Sequence, residues 1–202
     1  MSNTKRIWLD HKVITITGPH GSGKDTLIIW ALNNITGSKK VVSSTDRWPR
    51  AWEILGYSYN FETKKPAEEE IFDGITIPVK NSLNGLLGVN YWIWNTYVRN
   101  LFEVKNISLW HTGPTVITKL KNKYADRVYS IYLHADSEVL IARLQSRDDI
   151  SEDQARTRLS HDPGNIESEA NFEFDRELFD NTLTTSWSKE AVLSEFMELF
   201  VK

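Results

Sequence analysis

A glycine-rich loop that ends in a lysine is the stretch of this chain whose residue types point most directly to chemistry. Gly18 to Lys24 reads GPHGSGK and follows Val13–Thr17, a β-branched run that predicts a buried strand. An apolar run typical of a helix comes after the lysine. Glycines let backbone N–H groups approach a phosphate closely, and a helix N-terminus adds partial positive charge. The sequence therefore predicts a phosphate-binding loop in which Lys24 contacts the β- and γ-phosphates of a nucleotide.

Two polar residues directly after the lysine are candidates for a metal site. In such loops a hydroxyl beside the lysine ligates Mg²⁺, and here Asp25 stands between Lys24 and Thr26. We assign the hydroxyl ligand to Thr26, because the position after Asp25 still lies in the first helical turn. Asp25 either holds Mg²⁺ through water or favours the start of the helix. The predicted ATP-binding residues are Gly18, His20, Gly21, Ser22, Gly23, Lys24, Asp25 and Thr26.

The composition is that of a single globular domain, and it excludes several classes of site. The chain has 202 residues, enough for a sizeable core, and its net charge of −3 does not indicate nucleic acid as a partner. Cysteine is absent, which excludes disulfides, thiolate catalysis and zinc–thiolate sites. No apolar run is long enough to span a membrane, and the first residues lack a signal-peptide core. We therefore expect a cytoplasmic protein, either a monomer or a homodimer.

Hydrophobic periodicity and turn signals predict strands that alternate with helices. The first helix should run from Lys24 to about Ile35. Between Ser43 and Gly88, turn signals and short extended pieces such as Tyr57 to Phe61 predict a small β-rich subdomain. The alternation elsewhere implies right-handed crossovers and a parallel sheet. The other predicted strands are Lys39 to Ser43, Ile75 to Val79, Ile107 to Trp110, Val128 to Leu133 and Phe179 to Thr184. The other predicted helices are Asn90 to Glu103, Thr115 to Tyr124, Asp136 (as the cap) to Arg147, Ser151 (in a capping box) to before Pro163, and Lys189 to Val201.

A second cluster of residues, between Ser44 and Phe61, has the composition of an anion clamp. Arg47 and Arg50 lie three positions apart, and Tyr59 follows in the β-rich segment. The arginine fork matches the oxygens of a phosphate monoester, and a phenol supplies one more donor. The same residues are also compatible with a solvated loop whose arginines pack on tryptophans.

Together the two motifs resemble those of the guanylate kinase family of P-loop nucleoside monophosphate kinases. GPHGSGKDTL is similar to that family's GPSGxGKxTL, and STDRWPRAWEILGYSYNF is similar to its STTRxPRxGExxGxxYxF at the same spacing. The likeness extends from about Val13 to Phe200. It implies an α/β, three-layer P-loop NTPase fold with a central parallel sheet, a small β-rich acceptor-binding subdomain and a helical lid. The implied divisions are a core at 12–43, 104–146 and 164–202, an acceptor-binding subdomain at 44–90 and a lid at 147–163.

The resemblance also implies an activity, the transfer of a phosphoryl group from ATP, with Mg²⁺, to a nucleoside monophosphate such as GMP or dGMP. Small nucleotides are then the partners. Arg143 and Arg147, in a segment resembling RLxxR, match lid arginines, as does Arg158, and all three join Lys24 as catalytic residues. Arg143 and Arg147 share a helix face and can converge on one anion, although surface arginines would show the same spacing. The implied acceptor-binding residues are Ser43, Arg47, Arg50, Glu53, Tyr59, Lys80 and His111.

The chain departs from the family pattern at the positions that recognise the base of the acceptor in that family. His111 and Gly113 stand at the positions of the family's acidic pair, and Leu87 and Val89 at those of its tyrosine and hydroxyl. We therefore expect an acceptor preference shifted away from GMP. Two other functions stay open. One is a kinase of another phosphate ester, because the NGL…GV segment at 84–89 resembles that of ribose 1,5-bisphosphate phosphokinases. The other is a non-catalytic guanylate kinase-like interaction module, against which the intact phosphate-binding loop argues.

Overall fold

Strands and helices alternate along most of the chain. The structure is a computed structural model that describes residues 12–49, 51, 53–81, 85–162, 164–167, 176–186 and 188–201. The side chains of 75–81, 85–89 and 200–201 are not described. The described residues form two units. One comprises the chain up to Lys39 and from Asn106 onward, and the other is Lys40–Lys105. The strands are β1 (Val13–Thr17), β2 (Ser38–Lys40), β3 (Ser44–Thr45), β4 (Asn60–Phe61), β5 (Ile71–Asn81), β6 (Gly85–Trp94), β7 (Ile107–His111), β8 (Val128–His134) and β9 (Asn181–Thr184). The helices are α1 (Lys24–Asn34), α2 (Asn95–Glu103), α3 (Pro114–Tyr124), α4 (Ser137–Asp148), α5 (Glu152–Ser160) and α6 (Lys189–Val201).

A parallel sheet with the strand order β2-β7-β1-β8-β9 forms the centre of the first unit. β1 pairs in parallel with β7 and with β8, and β8 pairs in parallel with β9. All five residues of β1 are buried, as is typical of a central strand covered on both faces. The predicted α/β fold with a central parallel sheet is confirmed.

Helices pack on both faces of this sheet. Side chains on a strand alternate between the faces, and on β8 Ile131 and Leu133 join a core with residues of α1 and with Phe196 of α6. Tyr132, between them, packs instead with Ile117 of α3. Phe196 is fully buried, and burying such a side chain contributes about 1.5–3 kcal/mol. The result is the predicted three-layer arrangement. No helix among the described residues combines the length and apolarity needed to cross a membrane.

A second sheet with the order β4-β3-β6-β5 forms the Lys40–Lys105 unit. β5 and β6 are antiparallel, with pairs that run from Ile71 opposite Trp94 to Asn81 opposite Gly85. The helix predicted from Asn90 to Glu103 is therefore wrong over its first five residues, which continue β6. Aromatic and β-branched residues favour an extended backbone, and pairing with both β3 and β5 satisfies that backbone.

Two predicted strands are shorter or divided in the structure. The strand predicted from Lys39 to Ser43 is interrupted, because β2 ends at Lys40 in one sheet and β3 begins at Ser44 in the other. Of the piece predicted from Tyr57 to Phe61, only β4 is a strand. Propensity alone did not locate these breaks, because the breaks depend on which sheet each piece joins.

The two predicted caps of α4 and α5 have different outcomes. Asp136 occupies the N-cap position of α4, but its side chain makes no capping hydrogen bond. Ser151 and Gln154 form the predicted capping box at the start of α5, with hydrogen bonds in both directions. Since α4 ends at Asp148, the turn between α4 and α5 is only three residues long.

Candidate active site

The glycine-rich loop lies between the C-terminal end of β1 and the N-terminus of α1. Gly21 and Gly23 have φ angles of +84° and +91°, in the left-handed region that favours glycine. Gly23 is the N-cap residue of α1 and contributes no capping side chain, and the helix starts at Lys24. The first N–H groups of a helix have no partner within the helix, so this terminus is suited to an anion.

Lys24 is almost fully buried and folds back onto the loop. Its Nζ donates to the carbonyl oxygens of Gly18, at 2.7 Å, and Pro19, at 2.8 Å. Burial lowers the pKa of Lys24 to about 8, while the negative charges of Asp162 and Asp25 act in the opposite direction. The side chain is therefore still mostly protonated at neutral pH, and phosphate oxygens can replace the two carbonyls as its acceptors.

A buried carboxylate, that of Asp162, contacts the same loop. Asp162 is 5% exposed, and its Oδ2 accepts a short hydrogen bond from the backbone N–H of His20 and lies 3.7 Å from the His20 Nδ1. Its Oδ1 accepts from the backbone N–H of Gly164 at 2.9 Å. Burial lowers the pKa of His20, and Asp162 opposes that shift. Sequence reasoning missed Asp162, because an aspartate at the end of a helix carries no signal of a contact made so far along the chain.

A cavity of about 250 Å³ opens beside the loop. Thr26 lies on its wall and is exposed, as is Asp25 next to it. Their oxygen atoms are the donor type that Mg²⁺ prefers. No group of three or more His, Asp or Glu side chains among the described residues could hold a metal by itself, so Mg²⁺ would need phosphate and water ligands as well. The cavity is lined by Gly21, Ser22, Gly23, Thr26, Leu27, Leu133, Arg143, Thr185, Lys189, Val192 and Leu193.

Arg143 is held against the loop by two backbone carbonyls. Its guanidinium donates to the oxygen of Gly21 at 3.1 Å and to that of Thr185 at 2.6 Å. Thr185, directly after β9, was not predicted from the sequence. Arg143 therefore bridges the phosphate-binding loop and the loop after β9, and it forms part of the wall of the cavity.

The other two predicted lid arginines meet at Asp148. Arg147 donates to both carboxylate oxygens of Asp148 at 2.8 Å, and Arg158 of α5 donates to the same carboxylate. These contacts, the bond from Arg147 above all, lower the pKa of Asp148 to about 2. Arg143 and Arg147 thus contact different acceptors within the protein, the backbone of the loop and Asp148, and their convergence on one anion stays a prediction. A shared helix face sets the spacing of two side chains, but the acceptors nearby decide where each guanidinium turns.

In the Lys40–Lys105 unit, Arg47 is surrounded by aromatic rings. Its guanidinium carbon lies 5.1 Å from the ring centroid of Tyr59, 5.6 Å from that of Phe61 and 5.8 Å from that of Tyr91. Such contacts between a cation and an aromatic face are favourable when the cation is shielded from water. The rings are those of tyrosines and phenylalanine, whereas the alternative derived from the sequence was packing on tryptophans.

A bidentate ion pair with Glu53 fixes the orientation of Arg47. The Nη1–Oε2 and Nη2–Oε1 distances are 2.6 and 2.5 Å, and Nε donates to the hydroxyl of Tyr91 at 2.9 Å. Hydrogen bonding to Glu53 raises the pKa of Arg47 above its ordinary value. With the carbonyl of Trp48, these acceptors occupy four of the five N–H donors of Arg47. The guanidinium is thus rigidly placed, and within the part of the chain that the structure describes one N–H of Nη2 has no acceptor and can serve a ligand.

The remaining predicted acceptor residues are Ser43, Arg50, Lys80 and His111. Ser43 accepts a backbone hydrogen bond from Asn60 at 2.9 Å, next to β3 and β4. Arg50 and the side chain of Lys80 lie outside the described residues. His111 is the last residue of β7, is exposed and belongs to the first unit, so it is placed at the C-terminal end of a strand beside β1.

Known guanylate kinases are similar to this chain over most of its length. The guanylate kinase of Rubrobacter xylanophilus is 30% identical over 151 residues, which are 74% of this chain and 76% of the relative. That of Mycoplasmoides gallisepticum is 28% identical over 193 residues, 94% of this chain and 92% of the relative. The crystal structure of guanylate kinase from Anaplasma phagocytophilum has a similar fold, with a TM-score of 0.57 at 18% identity over 94% of this chain and 86% of that one. No protein-family profile matches the chain.

Proposed function

The chain belongs to the guanylate kinase family of P-loop nucleoside monophosphate kinases, and we propose that it transfers the γ-phosphoryl group of ATP to a nucleoside monophosphate bound by the Arg47 region. The observation that carries this proposal is the loop itself. Glycines in left-handed conformations precede the start of α1, and Lys24 ends the loop with an ammonium that donates to the carbonyl oxygens of Gly18 and Pro19. That combination suits a polyphosphate better than any other ligand.

On the donor side, Lys24 and the backbone N–H groups of the loop bind the phosphates of ATP. The neighbouring cavity, with apolar side chains on part of its wall, accommodates the adenosine. Arg143, which already contacts the loop, supplies charge at the phosphates. Arg147 and Arg158 lie close together at Asp148 and would do the same once they exchange that carboxylate for phosphate oxygens.

Mg²⁺ would be held by the hydroxyl of Thr26, with Asp25 acting through water. Both side chains are exposed at the start of α1, beside the cavity. When bound, the ion neutralises charge on the phosphates of ATP.

On the acceptor side, Arg47 offers its remaining Nη2 N–H to the phosphate of the monophosphate, while Glu53 and Tyr91 hold the guanidinium in place. Arg50, Tyr59, Ser43 and Lys80 complete the proposed acceptor set. His111 is proposed to lie near the base or sugar of the acceptor. The named relatives are guanylate kinases, which makes GMP the first acceptor to assay.

The chemistry requires positioning and charge neutralisation rather than covalent help. The attacking oxygen of a monophosphate is already anionic, so no general base is needed. Lys24 and the arginines of α4 and α5 offset the charge that spreads over the transferring group. The division of the chain into a core, an acceptor-binding subdomain at 44–90 and a lid at 147–163, which contains α5, is part of this proposal.

A coupled assay with ATP and each common ribo- and deoxynucleoside monophosphate tests the function. We expect turnover with at least one acceptor, and Lys24→Met should reduce kcat by about 10²–10³-fold, as removal of a group that stabilises transition-state charge does. Lys64→Met, which removes an exposed lysine of the other unit, is the matched control and should keep wild-type turnover. No turnover with any acceptor, or full turnover by Lys24→Met, would contradict the proposal.

A second variant separates the two substrates. Arg47→Ala should raise KM for the acceptor much more than KM for ATP, because Arg47 lies in the unit without the phosphate-binding loop. A variant that lost affinity for ATP and kept its affinity for the acceptor would show that the two sites are assigned the wrong way round.

A further inference from the structure

We propose that Asp162 is a built-in anion of the phosphate-binding loop, which competes with the terminal phosphates of ATP and must leave the loop when ATP binds. This inference concerns regulation of the donor site and rests on the proposed function. Its basis is the position of the carboxylate, which is buried and accepts a hydrogen bond from the backbone N–H of His20, in the middle of the loop.

Competition follows from the number of donors and from charge. A backbone N–H makes one strong hydrogen bond, so the His20 N–H cannot serve a carboxylate and a phosphate oxygen together. Asp162 also acts electrostatically on Lys24, the side chain expected to bind the β- and γ-phosphates. A carboxylate and a phosphate a few ångströms apart repel each other, and the repulsion is stronger at a buried position than in water. The arriving phosphates therefore take over the His20 N–H, the loop donor that Asp162 uses.

The turn after α5 holds the Asp162 carboxylate close to the phosphate-binding loop. The turn after α5 is closed by a hydrogen bond from the Asp162 N–H to Leu159 and by one from the Gly164 N–H to the Asp162 carboxylate. Gly164 packs so tightly on the loop that a Cβ at this position would lie 2.5 Å from the carbonyl oxygen of Gly18. When Asp162 leaves, the turn loses its contact with the loop, so ATP binding is communicated to α5 and to Arg158 on it.

The test is the affinity of Asp162→Asn for ATP and for inorganic tripolyphosphate, measured by calorimetry on the full chain. Asparagine keeps the size of the side chain and removes its charge. We expect the Kd for both ligands to fall about tenfold, a change of about 1.4 kcal/mol. Glu152→Gln, which removes an exposed carboxylate from the first turn of α5, is the control for the general change in charge and should leave both Kd values unchanged.

Unchanged or weaker binding of ATP by Asp162→Asn would overturn the inference, because Asp162 would then support the loop rather than compete for it. If the wild-type protein bound no ATP, both the proposed function and this inference would be wrong. Hydrogen exchange on the wild type covers the case in which the variant does not fold. On binding ATP, the amide of Gly164 should lose protection, because its acceptor has moved; retained or increased protection would overturn the inference.

Discussion

Replacing Lys24 with methionine should stabilise the protein more at neutral pH than at alkaline pH. The side chain is 7% exposed, and burial lowers its pKa from 10.5 to about 8. The folded state therefore binds this proton more weakly than the unfolded chain does, and protonated Lys24 destabilises the fold below about pH 8. The penalty fades as the pH rises from about 8 to about 10.5, where the unfolded chain loses the proton too. Methionine has a similar size and no charge, so it carries no such penalty.

The magnitude follows from the two pKa values. Their difference, 10.5 against about 8, corresponds to about 3 kcal/mol of lost stability well below pH 8. Methionine also removes the hydrogen bonds to Gly18 and Pro19, which opposes the gain by about 0.5–1.5 kcal/mol each. A neutral amine still donates these bonds, so their loss is nearly the same at every pH. The stability difference between variant and wild type should therefore decrease by about 2–3 kcal/mol from about pH 7 to about pH 10.

Urea unfolding followed by tryptophan fluorescence measures that difference, since the chain has eight tryptophans. Both proteins are unfolded at the two pH values, and Lys64→Met, which removes an exposed lysine, corrects for the general change in charge. A stability difference that stays constant or grows between the two pH values would refute the reasoning, because burial would then not hold the pKa of Lys24 down.

Three further changes test other contacts. Glu53→Ala leaves the partly buried Arg47 without its carboxylate and should lower the free energy of unfolding by about 1.5–3 kcal/mol in the same urea assay; a loss below about 1 kcal/mol would contradict a structural ion pair. Gly164→Ala places a Cβ 2.5 Å from the Gly18 carbonyl, so calorimetry should show a lower Tm, and an unchanged Tm would show that the packing is loose. His111→Asp should increase the use of GMP relative to other monophosphates in the coupled assay; strong wild-type preference for GMP with an unchanged profile in the variant would make His111 a scaffold residue.

Some of the site could be predicted because its signals are local in the chain. Val13–Thr17, the loop and the start of α1 are consecutive, and each step depends on the residue types of that step alone: a β-branched run, glycines that accept φ angles of +84° and +91°, and an apolar helical run. The capping box at Ser151 is local in the same way. The pair of arginines beside a tyrosine was likewise visible as spacing, although spacing alone left open whether Arg47 binds an anion or only packs on aromatic rings.

Contacts between distant parts of the chain were decided only by the tertiary structure. The five residues from Asn90 to Trp94 have aromatic composition that suits a helix or a strand, and pairing with β3 and β5 selects the strand. Tyr91 thereby comes to accept from Arg47, and sequence reasoning, which placed that stretch in a helix, did not find it.

The charges of the donor site show the same dependence. Asp148 accepts hydrogen bonds from Arg147 of its own helix and from Arg158 of the next. Asp162 accepts one from His20 of the loop, 142 positions away in the chain. Residue types and spacing determine what a side chain can bind, because these are properties of a short segment. Which partner it does bind depends on the few ångströms between groups that only the packed sheet and helices bring together, since a hydrogen bond or an ion pair loses most of its strength beyond that distance.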